Sequence, residues 1–64
     1  MIELLDWEIV NIDSELYRGE AIKLYLYDDY TEMRYNKYYR NKEDFRRYML
    51  DNNVKFDKNK MSKK

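Results

Sequence analysis

Carboxylates and phenols are abundant among the reactive side chains, with thirteen Asp and Glu and eight Tyr among 64 residues. Two carboxylates held close together can divide general-acid and general-base duty. Asp28 and Asp29 are adjacent in sequence, but they fall at an expected hairpin tip, where water keeps both groups ordinary. Asp13, Ser14 and Glu15 offer oxygens to a cation without the ligand spacing of a calcium loop. His and Cys are absent, which removes the serine–histidine relay, the thiol nucleophile and the imidazole or thiolate metal site. The single glycine, Gly19, cannot build a phosphate-cradling loop or a dinucleotide fingerprint. The expectation is a protein with no catalytic residues, cofactor or metal, one that works by binding.

Two patterns bear on what it binds. Residues 1–32 carry nine acids against Arg18 and Lys23, a balance of −7, while residues 33–64 carry eleven bases against four acids, +7. Such asymmetry points to charged partners, or to two halves that neutralise each other within one fold. Arg34, Lys37, Arg40, Lys42, Arg46 and Arg47 interleave with Tyr35, Tyr38 and Tyr39, a pattern suited to phosphates and stacked bases. In the opposite sense, Glu3, Asp6, Glu8, Asp28, Asp29 and Glu32 suit a basic groove on another protein. A tight complex of that kind also needs an apolar anchor, for which Phe45, Tyr48 and the outward-facing tyrosines are candidates.

The elements that must position these groups are legible from periodicity. Residues 2–12 alternate as a strand, with Leu5, Trp7 and Ile9 on one face and a change of parity at Ile9-Val10 that predicts a bulge. Residues 13–20 read as a loop in which Gly19 takes a positive φ. In strand 21–27, Ile22, Leu24 and Leu26 face one way and Lys23, Tyr25 and Tyr27 the other. Asp28-Asp29 is the turn, and a third strand over 30–39 turns Met33, Tyr35 and Tyr39 inward. A turn of two residues sets Leu24 opposite Met33; a turn of four sets it opposite Tyr35. Asn41 caps a helix with Glu43 and Asp44 in its first turn, and Phe45, Tyr48, Met49 and Asn52 share one stripe. Asn52-Asn53 supplies a left-handed ending, after which Val54 and Phe56 pack back.

The sum is an α+β fold: a three-stranded antiparallel sheet with one C-terminal helix packed on one face. Residues 1–56 form a single domain and 57–64 a basic, disordered tail. The helix covers one face of the sheet through Ile22, Leu24, Leu26, Met33, Tyr35, Phe45, Tyr48 and Met49, leaving Tyr25, Tyr27, Tyr30 and Tyr38 on an open face among Lys23, Glu32 and Arg34. An uncovered tyrosine-rich face is expected to be an interface. A chain this short buries only about 60% of its unfolded surface, so association to a homodimer is expected to add stability. There is no apolar stretch of membrane-spanning length and no signal sequence at Met1-Ile2-Glu3, which predicts a cytoplasmic protein with no membrane partner.

The stretch from Ile22 to Met49 runs from an aliphatic strand through an Asp-Asp turn and a Tyr-rich strand to a capped helix opening with Asp44-Phe45. In that order it resembles the small early proteins of Bacillus phages that inhibit uracil-DNA glycosylase. The resemblance implies a sheet with one helix, homodimers, and DNA mimicry in which an apolar loop residue of the enzyme enters a hydrophobic pocket. Phe45 stands at the matching pocket position. Arg46 stands where the family has an acidic residue, and the family's functional tyrosine aligns with Met49, beside Tyr48. The expected partner-binding residues are therefore Asp28, Asp29, Glu32, Tyr25, Tyr27, Phe45, Tyr48 and Met49. The expected function is inhibition of a host DNA-binding enzyme, uracil-DNA glycosylase being the named candidate. The alternatives are a nucleic-acid-binding accessory protein using the basic half, or another protein-binding module that blocks host defence.

Overall fold

In the computed structural model, which describes residues 1–57, four elements follow one another: β1 Ile2–Asp13, β2 Arg18–Asp28, β3 Met33–Tyr39 and α1 Lys42–Asp51. The strands form one antiparallel sheet in the order β1-β2-β3, with α1 across one face, as the periodicity predicts. Of the expected basic tail, residues 58–64 lie outside the described residues.

The β1–β2 hairpin is longer than its alternation suggests. Asp13 pairs with Arg18, so only residues 14–17 turn, and Arg18, Gly19 and Glu20 belong to β2, not to a loop. Gly19 has φ +134°, a conformation that L side chains rarely adopt. The turn is closed by Ser14: its N–H donates to the Tyr17 carbonyl at 3.0 Å, and its Oγ accepts from the Tyr17 N–H at 3.2 Å.

The bulge lies at Leu5 and not at Ile9-Val10, because the register shifts between Leu4↔Leu26 and Asp6↔Tyr25. Two adjacent leucines compete for the core; Leu4 wins, buried with Val54 and Leu26, and the extra residue returns Trp7 to the same face. Ile9, expected inward, is half exposed.

The β2–β3 connection is Asp29–Glu32, with Glu32 at φ +58°, and β3 starts at Met33. The register Asp28↔Met33, Leu26↔Tyr35, Leu24↔Lys37, Ile22↔Tyr39 is neither of the two expected. Lys37 therefore shares the helix side with Tyr35 and Tyr39, and Met33 lies exposed at the strand's start instead of in the core.

The helix starts as the cap predicts: Asn41 Oδ1 accepts the Asp44 N–H at 2.9 Å. Its end is a Schellman arrangement. Asn53 sits at φ +51°, its N–H donates to the Leu50 carbonyl at 3.2 Å, and the Val54 N–H donates to the Met49 carbonyl at 3.0 Å. The chain then reaches the outer edge of β1, where Leu4 N–H donates to the Lys55 carbonyl and Lys55 N–H to the Ile2 carbonyl, both at 2.8 Å. The core so closed comprises Leu4, Trp7, Ile22, Leu24, Leu26, Phe45, Met49 and Val54. Phe56, expected to pack back, stays 41% exposed.

Candidate functional site

Opposed residues of an antiparallel pair share a face, so the register alone defines the surface that the helix leaves bare. Where all three strands pair, it has three rows, Glu3–Tyr27–Arg34, Asp6–Tyr25–Asn36 and Glu8–Lys23–Tyr38, and the β1–β2 hairpin extends it with Val10–Ala21 and Ile12–Gly19. Read along the strands, β1 presents a column of three exposed carboxylates, β2 presents Tyr27, Tyr25 and Lys23, and β3 presents Arg34, Asn36 and Tyr38. The bulge at Leu5 sets this column, since it brings Asp6 and Glu8 onto the same face as Glu3.

Contacts across the rows hold the surface in shape. The Tyr25 hydroxyl donates to Glu8 Oε2, and this bond is the first cause of the raised Tyr25 pKa. Lys23 Nζ lies 4.9 Å from the Tyr25 ring centroid and 5.8 Å from that of Tyr38. The ammonium thus joins two rings that are amphipathic and stiff, the kind enriched at protein interfaces.

Beyond the first row the acidic character continues around the β2–β3 turn. Asp28 Oδ1 accepts the Tyr30 N–H at 2.9 Å, and Asp29 pairs with the N-terminal ammonium at 2.6 Å. Of the residues expected to bind a partner, Tyr25 and Tyr27 lie on the open face, Asp29 and Glu32 lie in the turn at its end, and Asp28, alternating with Tyr27, falls on the helix side. Tyr30, expected on that face, projects from the turn instead and is 90% exposed.

Phe45 and Met49 are a correction. Both are core residues, and Met49 reaches the surface only as one wall of a pocket shared with Arg46, Leu50 and Phe56. Phe45 stacks obliquely on Trp7, and only its margin lines a small pocket of about 60 Å³ shared with Trp7, Lys42 and Arg46. Tyr48 is half-buried beside Tyr39, with ring centroids 5.6 Å apart, and its hydroxyl lies 3.3 Å from that of Tyr35. Burial, followed by the bond to Tyr35, raises the Tyr48 pKa above its ordinary value. Lys37 Nζ stands 4.8 Å from the Tyr48 ring. These three belong to the helix side, opposite the open face.

The basic residues do not gather into one stripe. Arg34 is on the open face, Lys37 beside Tyr48, Arg40 over the Tyr17 ring at 4.8 Å, and Lys42 with Arg46 at the Trp7 pocket. Arg47 lies on the Tyr39 side of α1, 3.7 Å from Glu43. Helical and strand periodicities scatter what the sequence interleaves. Among the described residues, no three His, Cys, Asp or Glu side chains are grouped to hold a metal ion, and no helix is long and apolar enough to cross a membrane.

Comparison with protein-family models, curated proteins and solved structures found no match to this chain.

Proposed function

We propose that the protein is a non-catalytic inhibitor whose open sheet face occupies the DNA-binding groove of a host enzyme. One observation carries the reading: the Glu3, Asp6, Glu8 column runs beside Tyr25 and Tyr27 on a face that, among the described residues, no other element covers. Carboxylates repeated along a strand offer a basic groove the negative charge it expects from a phosphate backbone. The adjacent phenol rings supply the desolvated contact area from which tight binding is made. Glu32 adds a carboxylate in the turn past the end of the sheet, where Asp29 is paired with the N-terminal ammonium. The resemblance over Ile22 to Met49 makes uracil-DNA glycosylase the first enzyme to test, in the cytoplasm of the host.

Direct nucleic-acid binding is supported less, since the cations that would form its footprint lie on separate surfaces. The discriminating experiment is a competition. A labelled duplex bound to uracil-DNA glycosylase should be displaced by this protein, while the protein alone shifts no duplex at low salt. Simultaneous binding of duplex and protein to the enzyme would contradict mimicry.

A further inference from the structure

Lys42 and Arg46 stand one turn apart on α1, both exposed, and with Trp7 and Phe45 they line the pocket of about 60 Å³ where the helix meets β1. Local preference opposes both cations. Lys42 occupies the first turn of α1, where the helix dipole favours anions, and Lys42 with Arg46 is a like-charge pair at i,i+4. Among the described residues neither forms an ion pair. The two carboxylates between them in sequence are engaged elsewhere. Glu43 lies 3.7 Å from Arg47, and the Asp44 carboxylate accepts from the Asn41 amide at 3.4 Å. Where a chain breaks local rules twice at one place, and a cavity opens between the offending groups, function is the usual reason.

We infer that this pocket binds a phosphate group, either free phosphate or the end of a phosphate monoester. Two cations match the charge of about −1.5 to −2 that a monoester carries at neutral pH, which a single carboxylate does not. Arg46 offers a planar fork of donors to adjacent phosphate oxygens, and Lys42 adds a compact point charge. Trp7 and Phe45, 4% and 3% exposed, put an apolar floor under the two cations, which weakens solvent screening there. At about 60 Å³ the cavity admits one small group and no nucleoside, so only the phosphate enters. The bound anion turns a repelling pair into a bridged one and steadies the first turn of α1, and with it the seat of Phe45 on Trp7. Arg46 is also where this chain departs from the acidic residue of the family it resembles, so the charge of the pocket is its own. Trp7 lies on the helix side of the sheet, away from the Glu3, Asp6, Glu8 column, and the inference is independent of what that column meets.

Trp7 is the only tryptophan, so its fluorescence reports this pocket directly. Titrated with inorganic phosphate at constant ionic strength, it should show a saturable change with a millimolar midpoint, and chloride should give none. Ribose 5-phosphate should reproduce the change and ribose should not. A response to inorganic phosphate without one to ribose 5-phosphate supports the site and restricts it to the free ion. Lys42→Gln and Arg46→Gln fall at exposed positions, and each should weaken the midpoint by at least about tenfold. Phosphate stabilises folded proteins in general, so urea midpoints are read as a crossover. Without phosphate the double variant should match or exceed the parent, having lost a repulsion; at saturating phosphate the parent should be the more stable. No saturable change in Trp7 emission overturns the proposal. So does a change that persists in the double variant, which is then a general effect of the salt.

Discussion

Trp7 and Phe45 meet with ring centroids 5.8 Å apart and ring planes inclined at 59°, joining the outer strand β1 to the helix. Both are buried, at 4% and 3% exposure. The contact holds α1 over the face of Leu24 and Leu26 and thereby leaves Glu3, Asp6 and Glu8 on the uncovered side. The packed face and the acidic column on the other face are thus set by the same bulge.

Truncating this contact should remove most of the fold's stability. Phe45→Ala removes a buried ring and should destabilise by about 3–5 kcal/mol. Marginal stability is of the order of 0.1 kcal/mol per residue, so the variant should be largely unfolded in urea titrations where the parent is folded.

The helix cap offers a milder test. Asn41→Ala removes the acceptor for the Asp44 N–H and should lower stability by about 1 kcal/mol. Asn41→Asp should retain most of it, because a carboxylate caps the same donor and suits the helix N-terminus. The urea midpoints of the three proteins provide the check.

Much of this frame is legible in the sequence, and where it is not, the reason is physical. The aliphatic face of β2, the Asn41 cap and the left-handed ending at Asn53 each rest on a local preference that packing does not oppose. The bulge is different: Leu4 and Leu5 suit the core equally by type, and Leu4 is the one buried with Val54, a residue fifty positions later in the sequence. The β2–β3 register is also non-local in origin. Its left-handed position falls on Glu32, with no Gly or Asn to mark it, so residue types alone do not place the turn and Met33 reads as inward. Phe45 and Met49 carry the type of an anchor, but helical spacing cannot distinguish an apolar stripe facing a partner from one facing the sheet.

Alkali should unfold the protein partly through Tyr48. Its phenol is raised above the ordinary 10.0 by burial and by the hydrogen bond with Tyr35. The unfolded chain therefore loses this proton first as pH rises. The stabilisation is complete below the unfolded value and is lost as pH climbs toward the folded one. Urea midpoints should fall progressively as pH rises above about 10, and Tyr48→Phe should make that fall shallower.

Neutralising the acidic column should weaken inhibition without unfolding the protein. Glu3→Gln with Glu8→Gln preserves shape, and the new amide oxygen at the second position can still accept from the Tyr25 hydroxyl. Stability should stay within about 0.5 kcal/mol of the parent, as for most exposed substitutions. Association with the glycosylase should slow and lose part of its salt dependence, because charge complementarity acts chiefly on encounter. An unchanged rate would remove these carboxylates from the contact.

The most direct test of the open face as a DNA-mimicking inhibitor is uracil excision from a duplex by uracil-DNA glycosylase, titrated with this protein. Excision should fall to background as the protein reaches micromolar excess, and Tyr25→Ala with Tyr27→Ala should restore it while the sheet remains folded. Full excision at micromolar excess of the folded parent protein would contradict the assignment.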